Sequence, residues 1–530
     1  MLSLTTMVDV LVGADTSPAL QVGSSGAAYT RAQLRLLCAQ FASTLRAAGI
    51  SPGDVVTIAE PNTVEFVVAF IGTTLARALA APLNQNYKTE EFQYYMEDAR
   101  SKLLVVGPGG NSAAEAAGGP TCIALTVTPP GAGSSAAPML SIQSKTAGFE
   151  AVAAPATEQV QDPPLPDDVA LFLHTSGTTS RPKGVPLTHA NLVASLDNIA
   201  QTYEFVPADR SLLVMPLFHV HGLMAGLLSP LAAGAAVVMP AAGRFAASTF
   251  WQDAVQYGAT FYTAVPTMHQ ILLSRADEDY PAASPPPLRA IRSCSSSLAP
   301  ATLHKVEAAF KAPVLEAYAM TEASHQMTSN PLPKHGPRKP GTVGKPQGSV
   351  QVAILDEGCS VLPAGQVGEV CIRGPNVTKG YLDNPKANEE AFAGGWFHTG
   401  DQGMLDEEGY LTLTGRLKEL INRGGEKISP IEVDSALLAH PGVAEAVSFA
   451  APDEKYGEVV AAAVVLTEEG KQMADIEEDI KRVVGQRLSA FKVPTRVFVT
   501  EALPKGPTGK ISRRFMVDAF INKKPQEEGK

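Results

Sequence analysis

Ten consecutive residues, Thr175-Ser176-Gly177-Thr178-Thr179-Ser180-Arg181-Pro182-Lys183-Gly184, concentrate hydroxyls, pliable backbone and cationic side chains in one stretch. A polyphosphate needs those groups: N–H and O–H donors around its oxygens, and an ammonium such as Lys183 to offset its charge. The segment is therefore a candidate phosphate cradle, with Thr175, Ser176, Gly177, Thr178, Thr179, Ser180 and Lys183 as its binding groups. A Walker A loop would require Gly-Lys-Ser/Thr, whereas Gly184 follows Lys183, so a kinase or GTPase reading loses its main support. Short Ser/Thr/Gly runs are ordinarily polar turns between a strand and a helix; the length of this one sets it apart.

Such a loop must be held at the end of a strand, and residues 169–173 supply one. Around it helical and strand-like periods alternate: helices at 31–48 (stopped by Gly49), 64–80, 191–203 and 249–257, and strands at 55–59 and 212–215. This alternation predicts an α/β fold with two α/β layers. Residues 107–166 shift to Gly, Ala, Ser and Pro and read as a long surface excursion. Between 350 and 414 short strands (350–355, 368–373, 410–414) predict a small β-subdomain. After Leu420 strands near Ala446 and Ala461, a helix at 476–488 and a strand at 496–500 predict a small α+β domain.

The chain's 530 residues exceed what one hydrophobic core organises, and 45% hydrophobic with 18% charged residues is an ordinary globular balance. A net charge of −11 argues against nucleic acid or an anionic membrane surface as partner, while anionic small ligands remain open where cations are placed locally. Five scattered cysteines show no zinc-type spacing and suggest a reducing compartment. The N-terminus lacks a secretory pattern, the C-terminus lacks Ser-Lys-Leu, and the apolar run 222–239 is broken by Ser229-Pro230 and glycines. A cytoplasmic protein with no membrane span is expected.

Four further segments follow the loop: Tyr318-Ala319-Met320-Thr321-Glu322, Trp396-Phe397-His398-Thr399-Gly400-Asp401, Gly415-Arg416-Leu417-Lys418-Glu419 and Pro504-Lys505-Gly506-Pro507-Thr508-Gly509-Lys510. Together the five resemble the motifs of the adenylate-forming superfamily, which includes acyl-CoA synthetases, luciferases and peptide-synthetase adenylation domains. The resemblance spans essentially the whole chain. It implies an N-terminal adenylation domain over 1–417, a mobile C-terminal domain over 418–530 hinged at Lys418, and use of ATP, Mg²⁺ and coenzyme A. Carried onto matching positions, Tyr318 is expected to stack on adenine, Glu316 and Ala317 to line the same edge, and Thr321 to contact phosphate. Glu322 would hold Mg²⁺, which prefers oxygen ligands; a Thr-Glu pair after a strand is otherwise a helix start. Asp401 and Arg416 would accept from and donate to the ribose hydroxyls. Lys510, in isolation a solvated lysine, would bridge the attacking carboxylate and the α-phosphate. Gly424 and Gly425, otherwise a simple turn, would let backbone approach coenzyme A. Ser180 departs from the glycine common in the superfamily and restricts the loop's backbone.

The family builds its acyl pocket largely from segments around His219, Ser295 and His325. Here Ser293-Cys294-Ser295-Ser296-Ser297 replaces a glycine-rich stretch found in many long-chain and aromatic acid ligases, which implies a polar, shallow pocket. Hydroxyls and imidazoles left unpaired by an alkyl chain cost about 1–3 kcal/mol each, whereas a second carboxylate would satisfy them. Residues 173–186, Phe218-His219-Val220-His221-Gly222 and residues 316–323 read like those of oxalate-CoA ligases, a subgroup that shares Ser180. That similarity implies oxalate as the acid, Ser295 and His325 on its distal carboxylate, and His219 where acyl group meets phosphate, with His219 and Ser295 also bordering AMP. Lys510, Glu322, Thr321 and His219 are then the catalytic set, and His221 a satisfied core residue. Two other readings stay open: a CoA ligase for another small or aromatic acid, and a nucleotide-binding scaffold without turnover, which the presence of Lys183, Glu322, Asp401, Arg416 and Lys510 opposes. No obligate protein partner is implied.

Overall fold

The computed structural model describes residues 2, 4–11, 13–23, 26–129, 137–146, 162–175, 182–506 and 509–522. Among them four sheets form. A seven-stranded sheet runs, in spatial order, Met139–Ser144, Thr121–Thr128, Ser101–Val106, Val55–Ala59, Leu79–Pro82, Val169–Thr175 and Lys183–Thr188, parallel throughout except at its two antiparallel edges. A nine-stranded sheet places the parallel strands Pro18–Val22, Ala236–Met239, Arg210–Leu212, Phe261–Ala264, Ala290–Ser293 and Val314–Met320 between the antiparallel strand Ala28–Thr30 at one edge and the antiparallel strands His325–Ser329 and Lys345–Pro346 at the other. Parallel strands covered on both faces read as near-continuous apolar runs, as Val55–Ala59, interrupted only by Thr57, and Ala236–Met239 do.

One core joins both sheets. It combines Val56, Ile58 and Leu171 of the first with Val237, Phe261 and Leu315 of the second, and fills the space between with helices Arg31–Ala47, Val64–Leu75 and His189–Tyr203. Each helix starts on a threonine cap, Thr30, Thr63 or Thr188, whose side-chain oxygen accepts an orphan backbone N–H. The opposite faces of the sheets carry separate clusters, Leu104, Val106 and Phe92 on one and Ile291, Tyr262 and Trp251 on the other. A four-stranded antiparallel sheet of Gln351–Leu355, Gly368–Arg373, Phe397–Leu405 and Leu411–Arg416 forms the β-subdomain. The small C-terminal domain holds a five-stranded sheet whose faces alternate: Val460, Ala462 and Val464 pack to one side, Ala461 and Ala463 to the other.

The expected two α/β layers, β-subdomain and small α+β domain are all present. Three local expectations change. The helix predicted over 64–80 stops at Leu75, because Arg77 takes a left-handed backbone (φ 64°) and Leu79–Pro82 enters the sheet. Residues 107–166 are no bare excursion, since Ser112–Ala116 is helical and Thr121–Thr128 and Met139–Ser144 extend the seven-stranded sheet. The strand expected over 212–215 is Arg210–Leu212 instead. The apolar run 222–239 folds inward as a π-helix (His221–Leu228), a short helix (Ser229–Ala232) and the strand Ala236–Met239, all largely buried. No helix of the described residues is long and apolar enough to cross a membrane.

The β-subdomain is fastened to the nine-stranded sheet through Gly344: Leu411 N donates to its carbonyl, and Val343 N donates to Leu411 O, both at 2.8 Å. Gly344 sits at φ +77°, and a Cβ there would lie 1.9 Å from the Ser329 carbonyl carbon. Gly344→Ala is expected to destabilise the protein by at least about 2 kcal/mol, from left-handed strain plus overpacking, read as a lowered urea midpoint.

Candidate active site

Adjacent strands of the nine-stranded sheet end at one place. Phe261–Ala264 brings Thr263; Ala290–Ser293 leads into Ser295; Val314–Met320 carries Tyr318 and leads into Thr321 and Glu322; and the segment after Arg210–Leu212 brings His219 and His221. In parallel sheets the crevice beyond the carboxyl ends of the strands is where ligands gather. The β-subdomain and the small domain supply the other walls.

Asp401 and Arg416 are directly opposed across the antiparallel pair Phe397–Leu405 and Leu411–Arg416, with Arg416 Nε 3.1 Å from Asp401 Oδ1. The Tyr318 hydroxyl donates to Asp401 Oδ2, which joins the subdomain to the large sheet. Burial raises the Asp401 carboxyl above its usual range, against the pull of Arg416, Tyr318 and Lys510, and Asp401 in turn raises Arg416. Glu322 is buried where the Tyr381 hydroxyl donates to its Oε1 at 2.8 Å, and Lys183 lies over the Tyr381 ring, 4.5 Å from its centroid. Burial raises the Glu322 carboxyl, with Tyr381, Arg416 and Lys183 opposing. Thr321 opens the short turn Thr321–Ala323.

Lys510 reaches this cluster from the small domain. Its loop is docked by Thr267 Oγ1, which donates to Gly509 O at 2.9 Å, and is closed on itself by Gly506 N, which donates to Lys510 O at 2.7 Å. Lys510 is solvent-exposed, yet the protein packed around it and the nearby Arg416 lower its ammonium pKa, while Asp401 and Glu419 oppose. Lys510 also helps depress His219 to about 4, after burial. His219 Nδ1 accepts from His221 N at 3.1 Å, so its ring proton belongs on Nε2.

His221 joins the acid-pocket residues, meeting both His325 and Ser295. His325, 1% exposed, has no hydrogen-bond partner at either ring nitrogen among the described residues, and Ser293 and Ser324 hydroxyls are likewise unpaired. His325 stacks on His221 at 5.2 Å and 25°. His221 contacts Ser295 Oγ at 3.0 Å through Nδ1 and Thr263 Oγ1 at 2.6 Å through Nε2. Ser295, Ser324 and His325 all have positive φ, 73°, 49° and 105°. Such backbone strain gathers where side chains must be aimed at a ligand.

Glu316 is held from another side: Gly341 N donates to its carboxyl at 3.1 Å, and burial raises the group to about 8. Ala317 is buried on the same strand. Thr175 and Lys183 face each other across an antiparallel pair, so the loop leads into the strand Lys183–Thr188, and the helix follows only after it. Ser176, Gly177, Thr178, Thr179 and Ser180 lie outside the described residues. Gly424 and Gly425 are not brought to the cluster. They make the two-residue turn between Ile421–Arg423 and Glu426–Ile428, at φ 60° and 100°, a hairpin geometry that demands glycine-like backbone. Lys418 is exposed in the turn between Arg416 and Leu420. Sequence reasoning missed Tyr381, Thr263 and Arg292; the one linear signal was a charged residue inside the apolar strand Ala290–Ser293.

Residues 13–382 match the AMP-binding enzyme family and residues 432–510 match the AMP-binding enzyme C-terminal domain. The chain belongs to the AMP-binding enzymes. It is 56% identical to an oxalate-CoA ligase of Arabidopsis thaliana over 93% of this chain and 94% of that protein. It is 49% identical to an oxalate-CoA ligase of Saccharomyces cerevisiae over 88% of this chain and 87% of that protein. The fold superposes on ATP-bound MatB from Rhodopseudomonas palustris with a TM-score of 0.85 and 28% identity, covering 98% of this chain and 99% of that one.

Glu316 offers a pH test. An acid whose folded pKa is about 8 against an ordinary 4.5 keeps a proton that the unfolded chain has released, so its contribution to stability falls as pH rises from 4.5 through about 8. Glu316→Gln cannot release that proton. Its stability relative to the parent should rise across this window by up to about 1.4 kcal/mol per pH unit, read from urea midpoints at pH 5, 6.5 and 8.

Proposed function

We propose that this protein is an ATP-dependent oxalate-CoA ligase. Oxalate and ATP give oxalyl-AMP and pyrophosphate, then coenzyme A gives oxalyl-CoA and AMP. One observation carries the choice of acid: both nitrogens of the buried His325 are unpaired, beside Ser295 and His221. An alkyl tail would leave them so, at about 1–3 kcal/mol each. The distal carboxylate of oxalate, an acceptor, satisfies the ring's N–H. The names of the plant and yeast relatives support the same acid.

A carboxylate resists attack because its charge repels nucleophiles and its oxygens leave badly; adenylation supplies a leaving group. In this reading the Tyr318 strand receives adenine, Asp401 and Arg416 receive the ribose hydroxyls, and Thr175 with Lys183 and residues 176–180 receive the phosphates. Lys510 places its ammonium between carboxylate and α-phosphate, where negative charge develops. His219 Nε2–H donates where acyl group and phosphate meet. The buried Glu322, an oxygen donor with raised proton affinity and Thr321 beside it, fits Mg²⁺, which when bound neutralises phosphate charge.

The domain division is proposed at Lys418, giving 1–417 and 418–530. Lys510 is docked against Thr267 while the Gly424-Gly425 turn is away from the cluster. Thioester formation would need the small domain to rotate about residues 417–420 and bring that turn, as the coenzyme A wall, to the pocket. Five free cysteines suit a reducing compartment, and we assign the chain to the cytoplasm, to be checked by imaging a tagged copy.

The decisive assay is AMP formation dependent on coenzyme A, with oxalate beside malonate, acetate, a medium-chain fatty acid and coumarate. Oxalate is expected to lead; preference for a fatty or aromatic acid would refute the pocket reading while keeping the reaction class. Lys510→Ala should lower adenylate formation by about 10²-fold or more yet still pass preformed oxalyl-AMP to coenzyme A. His325→Ala should lose oxalate turnover and keep ATP binding by calorimetry; unchanged turnover would remove His325 from the pocket.

A further inference from the structure

Arg292, in the strand Ala290–Ser293, is fully buried, and no carboxylate pairs with it among the described residues. A buried guanidinium without a countercharge is costly and calls for an anion nearby. Each of its three nitrogens donates to a neutral group, Nε to the Tyr203 hydroxyl (2.7 Å), Nη2 to Gln326 Oε1 (3.2 Å) and Nη1 to Thr263 Oγ1 (3.2 Å), and the Cys294 thiol lies beside it as well.

The last contact fixes the direction of a chain of protons. Thr263 Oγ1 accepts from Arg292, which has no acceptor to offer in return, and its one other partner among the described residues is His221 Nε2, 2.6 Å away, so the hydroxyl's own proton is used by donating there. That makes Nε2 the bare nitrogen of a neutral ring. Nδ1 then carries the proton and donates it to Ser295 Oγ at 3.0 Å. Having accepted there, Ser295 is left with its own O–H to give, which is what a carboxylate requires. Each donor polarises the next in the same sense. Burial and Arg292 both hold the His221 pKa well below its usual value, so the ring stays neutral.

Resting on the oxalate reading, we infer that Arg292 is a positioning residue for acid specificity. Through Thr263 and His221 it sets Ser295 as a donor to the distal carboxylate, and it supplies the buried positive charge that a dianionic acid needs and a monoanionic one does not.

The test compares oxalate with oxamate, in which a neutral amide of nearly equal size replaces one carboxylate. Thr263→Val breaks the relay with little change of shape, Thr263→Ser restores the hydroxyl, and Arg292→Lys keeps the charge but loses the fork. Thr263→Val and Arg292→Lys should each lower the oxalate-to-oxamate ratio of kcat/KM by about tenfold or more, mainly through the KM for oxalate, while the KM for ATP stays put and Thr263→Ser keeps the parent ratio. Should Arg292→Lys not fold, the two Thr263 variants decide. An unchanged ratio, or equal losses on both acids and on ATP, overturns the inference. Failure of the unaltered protein to use oxalate overturns the oxalate reading itself, and so marks the two failures apart.

Discussion

Positive charge gathered at one crevice is the constraint on which this molecule turns. Arg292, Arg416 and Lys510 come from three different structural layers, and Arg416 stands close enough to Lys510 to lower its ammonium pKa. Asp401 balances Arg416, and Glu322 lies within reach of Lys183 and Arg416. Arg292 has only neutral partners among the described residues, and Lys510 is driven toward its neutral form. A site so arranged suits anionic ligands.

The fold serves that constraint by convergence. Neighbouring parallel strands end together, so Thr263, Ser295, Tyr318 and Glu322, far apart in sequence, share one rim. The Tyr318–Asp401 contact then locks the β-subdomain over it, and the Gly344 backbone secures the same junction from behind. Lys510 alone arrives on a separate domain, through a single docked loop. A group carried on a separate domain can be withdrawn without disturbing the rest of the site.

Much of this was legible in linear motifs. Tyr318, Glu322, Asp401, Arg416 and Lys510 each stand in a short run whose order along the chain carries the resemblance, and the structure gathers all five. The α/β alternation was equally plain, because helices and buried strands differ in period. What escaped was either masked by composition or made by contacts between distant segments. The edge strands Thr121–Thr128 and Met139–Ser144 lie in a stretch rich in small residues. Tyr381 matters because it meets Glu322, and Thr263 because it stands between Arg292 and His221; neither has a local signature. His221 was rightly read as a hydrogen-bonded buried residue, yet one of its two bonds goes to Ser295 in the acid pocket.

The central claim is that oxalate is activated as an adenylate in this crevice before any thiol takes part. The direct test is exchange of labelled pyrophosphate into ATP in the presence of oxalate and Mg²⁺ with coenzyme A left out. The account predicts exchange that requires oxalate and proceeds without coenzyme A. Exchange that appears only when coenzyme A is added, or that is indifferent to oxalate, would contradict it.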